Sequence, residues 1–463
     1  MSTITEYFES LRGKSIAVIG MGVSNTPLIR MLLRADLKVT VCDKSPRERV
    51  EEQAAELESL GARLQLGEDY LAKLHKFDLI FRTPGLSPNN PALLEAVEKG
   101  SEVTSEMELF FKLCPCKILA VTGSDGKTTT TTLVSEFLKE AGYNVYVGGN
   151  IGRPLLPDVA GMVPEDMVVL ELSSFQLMTM KQSPNVAVFT NLSPNHLDYH
   201  HTMEEYTSAK LNIFRHQKAG DRAVFNFDND ITRELAKDAP AASMLFNRRQ
   251  KLEEGVYLRD GAIWLNNEMG NREVLLLEDI QIPGVHNIEN YMAAIAAVDG
   301  LVPDKCVRAV AKRFTGVEHR IELVRTYRGV RYYNDSIASS PSRTTAGLRS
   351  FKEKVILIAG GYDKHIPFDD LGKEIAEHVK LLVLCGDTAE KIRDAVIKAP
   401  NYQEGCPEIV MVTPFTAAVE TARDRAVEGD VVTLSPACAA FDQFKNFMVR
   451  GKTFKAIVNS WEE

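Results

Sequence analysis

The segment KILAVTGSDGKTTTTT, Lys117 to Thr132, constrains this chain more than any other stretch. Ile118 to Val121 is an apolar run, which predicts a short buried strand. It ends in Thr122-Gly123-Ser124-Asp125-Gly126-Lys127-Thr128, and after the threonine run the amphipathic stretch Leu133 to Lys139 predicts a helix. Strand, glycine-bearing loop, Lys-Thr pair and helix N-terminus together make a phosphate cradle. Glycines let backbone N–H groups turn inward, and the helix dipole adds positive potential. In such a loop Lys127 neutralises the β- and γ-phosphates and the Thr128 hydroxyl holds Mg²⁺. The strict spacing requires a glycine where this chain has Val121. The competing reading is a plain glycine turn before a helix; the order of the four parts favours phosphate binding. A loop of this kind defines a nucleotide site but no reaction.

Composition bounds what surrounds that loop. The chain has 463 residues, more than one ordinary core accommodates, so two to four domains are expected. Its charged fraction of 25% is that of a globular protein. A net charge of −9 without a basic block argues against non-specific nucleic-acid binding, though not against a local site for an anion. The start, MSTITEYFESLRGK, has no apolar core of a leader, and no stretch reaches the length of a membrane span. The cysteines at 42, 114, 116, 306, 385, 406 and 438 include no CxxC pair, and Cys114-Pro115-Cys116 is too closely spaced for a usual zinc half-site. Reduced thiols, a cytoplasmic location and a monomer are the expectation.

Before the loop, residues 15 to 104 alternate strand and helix: Ser15 to Gly20, a helix over Leu28 to Arg34, Lys38 to Asp43, a charged helix over Pro46 to Leu60, then Phe77 to Arg82. That rhythm predicts a parallel sheet with helices on its faces. Gly20-x-Gly22, with Asp43 ending the second strand 21 residues beyond Gly22, is part of a dinucleotide fingerprint; Asn25 stands where the third glycine belongs. Nicotinamide, another nucleotide or nucleotide-sugar, and a simple tight turn all remain open there.

After the loop, Asp166 to Leu172 predicts a buried strand carrying Glu171, an acid where a Mg²⁺-holding carboxylate sits in nucleotidases or, read alone, a surface acid. Val186 to Thr190 is a further strand and runs into Asn191 to His201, where His196, His200, His201 and Asp198 crowd one loop; zinc is an alternative there, unsupported by ligand spacing. The helix Met203 to Arg215 contains Lys210, which on residue type alone reads as a surface lysine. Residues 220 to 283 predict an antiparallel flap. Pro283 to Asn287 precedes an alanine-rich helix, Asn290 to Val298, and its histidine and asparagines either hydrogen-bond a base or cap the helix. From Val317 onward, strands Val330 to Asn334, Lys354 to Ala359, Leu381 to Cys385 and Asp430 to Leu434 predict a second parallel α/β unit.

These motifs combine. The loop at 122 to 128 resembles the TGTNGKT loop of the Mur ligases and folylpolyglutamate synthases. Asn195-His196-Leu197-Asp198-Tyr199-His200 resembles their DHLDxH segment, and His286-Asn287-Ile288-Glu289-Asn290 is similar to their HNxxN helix start. Glu318-His319-Arg320 and Asn334-Asp335-Ser336 match a linker arginine and an NDS turn. The order is right and the whole length is covered. Asn150-Ile151-Gly152, Glu171 to Leu177, and Ser435 to Ala439 with Asp442-Gln443-Phe444 resemble the branch of the Mur ligases that adds D-glutamate.

The resemblance implies an α/β fold in three domains: a Rossmann-like UDP-sugar domain over 1–105, a P-loop ATPase over 106–316 and a Rossmann-like amino-acid domain over 317–463. It implies that ATP activates the carboxylate of UDP-N-acetylmuramoyl-L-alanine as an acyl phosphate, which the D-glutamate amine attacks, in peptidoglycan precursor synthesis. ATP contacts are implied for Gly123, Ser124, Asp125, Gly126, Lys127, Thr128, Thr129, His286, Asn290, Arg320 and Asp335. Two Mg²⁺ ions are implied at Thr128, Glu171, His196 and Lys210, the last as a carbamate. Ser24, Asp43, Gly85 and Asn150 are implied for the UDP-substrate, and Lys364, Ser435, Ala440, Phe441 and Phe447 for D-glutamate. The chemistry requires a positioned γ-phosphate and exclusion of water, so closure of a separate domain is expected.

The chain departs from the pattern at Asn195, where relatives carry an acid, at Ile337, where many carry lysine, and at Ala440 and Phe441, where the usual pocket has Ser and Leu. A folylpolyglutamate synthase shares the loop, but about 105 residues of α/β precede it here, which favours the Mur arrangement. A nucleotide-dependent regulatory protein is the reading from a different class; it predicts slow hydrolysis and no acceptor.

Overall fold

The computed structural model describes residues 3–194, 197–200, 202–364 and 366–462. By internal packing it divides into two units, residues 1–277 with 289–310, and residues 278–288 with 311–463.

The first unit holds two sheets. Strands β1 (Ile16–Ile19), β2 (Val39–Asp43), β3 (Arg63–Leu66), β4 (Leu79–Arg82) and β5 (Glu102–Ser105) form an all-parallel sheet in the order β3-β2-β1-β4-β5. Strands β1 and β4 are buried along their whole length, as strands covered on both faces must be. The strand order reverses between β1 and β4, and ligands bind outside the carboxyl ends of strands at such a switch point.

The second sheet contains β6 (Lys117–Thr122), β7 (Val145–Gly149), β8 (Met167–Glu171), β9 (Val186–Phe189), β10 (Arg222–Asn226), β11 (Ala242–Asn247), β12 (Gly255–Arg259), β13 (Ala262–Asn267) and β14 (Gly270–Leu276), ordered β14-β13-β12-β11-β10-β9-β6-β8-β7. Here the expected flap is corrected. β10, β11 and β12 pair parallel and extend the main sheet, and only β12, β13 and β14 pair antiparallel. The helix Asp230–Leu235 and a following turn of 3-10 helix make the crossover between β10 and β11.

The helix after the phosphate loop spans Lys127–Glu140, so it starts before the expected Leu133. β-branched threonines have poor helix propensity, but Thr129, Thr130 and Thr131 are buried, and packing overrides that preference. The charged segment 46–60 is not one helix: a 3-10 turn, Arg47–Arg49, is separated at Val50 from a helix Glu51–Ser59. The helix that contains Lys210 ends at Leu211. The alanine-rich helix begins at Val285, which puts His286 and Asn287 in its first turn.

The second unit carries β15 (Glu322–Tyr327), β16 (Val330–Asn334), β17 (Val355–Ala359), β18 (Val379–Leu384), β19 (Glu408–Met411) and β20 (Val431–Leu434), ordered β15-β16-β20-β17-β18-β19. All pairs are parallel except the edge hairpin β15–β16. Apolar clusters fill both faces, Leu357 and Leu384 on one and Ile358 and Val432 on the other. Among the described residues, no helix is long and apolar enough to cross a membrane.

Candidate active site

Three strand ends build the centre of the first unit. β6 lies between β9 and β8, so the loop after β6, the acid ending β8 and the residues following β9 meet at one edge. Gly123 has φ +147° and a Cβ there would lie 2.0 Å from Thr190 Oγ1; Gly126 has φ +78° and a Cβ would lie 2.3 Å from Asn290 Oδ1. Only glycine suits either position. Lys127 Nζ donates to the carbonyls of Gly123 (3.0 Å) and Ser124 (2.9 Å), curling back over the loop. Ser124 Oγ donates to Ser193 O at 2.9 Å and lies 3.2 Å from the Tyr206 hydroxyl. The Asp125 amide donates to Asn191 Oδ1, and Thr190 Oγ1 donates to Asp125 O at 2.6 Å. Thr129 is buried in the first turn of the helix.

Glu171 is no surface acid: it is 2% exposed. Its Oε2 accepts from Thr128 Oγ1 at 2.7 Å and its Oε1 from Asn150 Nδ2 at 2.8 Å. Thr128 after the phosphate loop and Glu171 at the end of β8, both implied for Mg²⁺, therefore touch, and Asn150 joins them. Lys210 likewise contradicts the reading of a surface lysine. It is 1% exposed, and Nζ donates to Gly123 O (2.9 Å) and Thr122 Oγ1 (3.2 Å). Burial, and then repulsion from Lys127, hold its pKa well below the ordinary lysine value, against the pull of Glu171 and Asp125.

His196 and Asn195 lie outside the described residues, as does His201. The zinc alternative rests on His196 and His201 and so also lies outside the described residues. His200 is buried, with Nε2 2.9 Å from Ser174 Oγ and its ring stacked on Phe175. Asn290 Oδ1 accepts from Thr130 Oγ1 at 3.3 Å beside Gly126.

At the carboxyl end of the first sheet, Asp43 closes β2, and Ser24 and Gly85 lie in the segments that follow β1 and β4. Asp43 accepts from the Met21 amide and the Ser45 amide, both at 2.8 Å, and so shapes the turn after β1. Ser24 precedes the helix Asn25–Arg34 and its hydroxyl makes no capping bond.

In the second unit, β16, β20 and β17 end side by side. Asp335 Oδ2 accepts from Ser435 Oγ at 2.7 Å, and Oδ1 from the Ile321 amide at 3.3 Å. Burial pushes Asp335 up to about 7, partly offset by the Ser435 hydrogen bond and the Arg320 charge. Arg320 sits between His319 and Ile321, both at positive φ (68° and 43°). Lys364 Nζ lies 3.4 Å from Ser339 O, Ala440 is buried, and Phe441 stands out of the surface with its edge toward Tyr362. Phe447 packs edge-on to His319. His286 lies against Gly284. Residue type did not single out Thr190, Asn191, Tyr206 or Arg82, all of which brace loops of the site; a buried arginine closing a strand has no local signature.

A strand, a glycine loop closing on Lys-Thr and a buried carboxylate at the neighbouring strand end define a nucleotide-binding α/β protein. Three family models then match the chain: the N-terminal domain of MurD-like Mur ligases over residues 14–105, the Mur ligase middle domain over 121–298, and the Mur ligase glutamate ligase domain over 319–438. The chain belongs to the Mur ligase family. It is 53% identical over 462 residues, 99% of each chain, to the UDP-N-acetylmuramoylalanine–D-glutamate ligase of Acetivibrio thermocellus, and 52% identical over 458 residues, again 99% of each, to that of Clostridium novyi. Among solved structures, the UDP-N-acetylmuramate-alanine ligase of Thermotoga maritima shares the fold at a TM-score of 0.58 and 19% identity, covering 96% of this chain and 99% of that one.

Proposed function

We propose that this chain is an ATP-dependent carboxylate–amine ligase that adds D-glutamate to UDP-N-acetylmuramoyl-L-alanine in the cytoplasm, as a monomer, for peptidoglycan precursor synthesis. The observation that carries this reading is the Glu171 carboxylate, held between the hydroxyl of the phosphate loop and the Asn150 amide. The identity of about half the residues over the full length to ligases of that name supports the choice of substrates.

A carboxylate is a poor acceptor for an amine. Transfer of the γ-phosphoryl group to one of its oxygens turns that oxygen into a leaving group. The D-glutamate nitrogen then forms the amide bond to the carbonyl carbon, the C–O bond breaks, phosphate leaves with the substrate oxygen, and the amine loses a proton. The N-terminus of the helix that starts at Lys127 and the Lys127 ammonium would hold and neutralise the phosphates at the loop Gly123 to Thr129, with Thr128 beside them. Asn290 and His286 serve the adenine, and Arg320 and Asp335 the nucleotide. Ser24, Asp43 and Gly85 seat the uracil and diphosphate, and Asn150 the muramoyl end. Lys364 meets the anionic amino acid, with Ser435, Ala440, Phe441 and Phe447 around it.

The hydroxyl of Thr128 and the carboxylate of Glu171 are hard oxygen donors of the kind Mg²⁺ takes, so the donor set fits that ion. Together with His196 and a carbamate on Lys210 they would hold two Mg²⁺ ions, which supply positive charge at the γ-phosphate when bound. A buried lysine whose pKa is lowered is suited to carbamylation: the ammonium first loses one proton, the neutral Nζ takes up CO₂ and releases a second, and +1 becomes −1. The test is phosphate release by the purified chain with ATP, UDP-N-acetylmuramoyl-L-alanine and D-glutamate, each omitted in turn. Release that needs all three supports the ligase. Equal release without D-glutamate overturns it in favour of a nucleotide switch, and turnover only with a folate acceptor overturns it in favour of a folylpolyglutamate synthase.

A further inference from the structure

Arg82 closes β4 and is 1% exposed. Its guanidinium fork divides its bonds between two loops. Nη1 donates to the carbonyls of Thr83 (3.2 Å), Pro84 (3.3 Å) and Leu86 (2.7 Å), and so wraps the turn that contains Gly85. Nη2 donates to Phe175 O (3.3 Å) and Thr179 Oγ1 (3.2 Å). Phe175 and Thr179 belong to the short helix Ser174–Leu177 and the turn after it, a few residues beyond Glu171, and Ser173 and Gln176 cap that helix reciprocally. Thr179 Oγ1 passes the bond on to Glu108 Oε2 at 3.2 Å, which also accepts from Ser105 Oγ at 2.8 Å at the end of β5.

Burying a guanidinium among carbonyls is expensive, and an apolar side chain would fill the same space at lower cost. Burial lowers the pKa of Arg82 and raises that of Glu108, as expected for a pair drawn out of water. A planar fork fixes two backbone segments in one geometry, whereas a lysine ammonium is a point charge on a flexible stem. The segments it fixes belong to the two sheets of the first unit: one follows β4 at the switch point, the other follows the acid of the phosphate site.

We propose that Arg82 is a positioning residue that locks the diphosphate-binding turn after β4 to the segment following Glu171, so that occupation of the UDP site sets the register of the acceptor carboxylate against the γ-phosphate. The role in turnover rests on the ligase reading above, and the coupling rests on the UDP site within that reading. A shift of about 1 Å in such a register costs on the order of 10²-fold in rate.

Two variants and two readouts test this. Arg82→Lys keeps the charge and loses the fork; Thr179→Val removes only the far hydroxyl and keeps the shape. In turnover, Arg82→Lys lowers kcat by about 10- to 100-fold, Thr179→Val lowers it less, and the double variant loses no more than Arg82→Lys alone, while the dissociation constant of a non-hydrolysable ATP analogue stays within about threefold. In hydrogen exchange, which needs no turnover, UDP-N-acetylmuramoyl-L-alanine slows exchange at residues 83–87 and 173–179 of the wild type but only at 83–87 of Arg82→Lys. Protection of 83–87 in both proteins with identical protection of 173–179 overturns the coupling, while no protection of 83–87 in the wild type overturns the UDP-site reading and the proposal with it. Wild-type kcat in Arg82→Lys overturns the role in catalysis. Loss of ATP-analogue binding in Thr179→Val as well as in Arg82→Lys reduces both residues to structural supports and also overturns the proposal.

Discussion

Replacing Asp335 by Asn should make the second unit's stability less dependent on pH. Asp335 is buried, and its two carboxylate oxygens accept from Ile321 N and Ser435 Oγ. Desolvation raises its pKa from the ordinary 3.8 to about 7. A raised carboxyl pKa means that the native state binds the proton more tightly than the unfolded chain. Its contribution to stability is therefore complete below about pH 4 and is lost as pH rises to about 7, at about 1.4 kcal/mol per unit. The whole window amounts to about 4 kcal/mol, and the part between pH 5 and pH 8 to about 3 kcal/mol. Asparagine carries no titrating proton and keeps one oxygen for Ile321, while the Ser435 hydroxyl can turn toward Thr344 Oγ1, 3.0 Å away. The assay is urea unfolding followed by Trp461, which packs on Tyr327 and Tyr332 of the same sheet, in a Trp264→Phe background that silences the other tryptophan. The stability of Asp335→Asn relative to the parent should rise by about 3 kcal/mol from pH 5 to pH 8. A difference that does not change with pH would refute the assignment of a proton to this carboxyl.

Other perturbations separate the parts of the site. Lys127→Ala should lower ligation by about 10²-fold or more while leaving UDP-sugar affinity nearly intact; parallel loss of both would mean a disturbed fold. Asp43→Ala should weaken UDP-N-acetylmuramoyl-L-alanine by ~1.5–3 kcal/mol without changing ATP affinity, measured by calorimetry, and tight NAD binding would instead favour the nicotinamide alternative for that turn. Lys210→Ala should lose about 10²-fold in rate and regain part of it with added acetate, since a free carboxylate can enter the space of a carbamate; near-normal activity without acetate would remove the carbamate from the account. Lys364→Ala should raise the KM for D-glutamate selectively, and a rise in the KM for ATP alone would misplace that pocket.

The phosphate loop was legible because its parts are contiguous: glycines at special φ, a lysine and a hydroxyl are all set by local sequence. The sheets were legible from buried apolar runs such as Ile118 to Val121 and Val355 to Ala359. What eluded the sequence depends on contacts made far along the chain. By residue type Lys210 looks like any helical lysine, and only the resemblance marks it, until the helix Met203–Leu211 packs onto Gly123. Arg82 looks like a charge at a strand end until Phe175 and Thr179 cover it. Residues 220 to 283 read as an antiparallel flap because their strands are short and joined by polar turns, yet a small helix between β10 and β11 makes that connection parallel and leaves only β12 to β14 antiparallel. The start of the helix at Lys127 was missed because propensity disfavours threonine where packing accepts it.

The central claim is that a substrate carboxylate oxygen becomes the leaving group. It is tested most directly with UDP-N-acetylmuramoyl-L-alanine carrying ¹⁸O in its alanyl carboxylate, incubated with the chain, ATP and D-glutamate, with the released phosphate analysed by mass spectrometry. The account predicts one ¹⁸O atom in each phosphate formed together with amide product. Phosphate free of the label, with oxygen drawn from water, would contradict it.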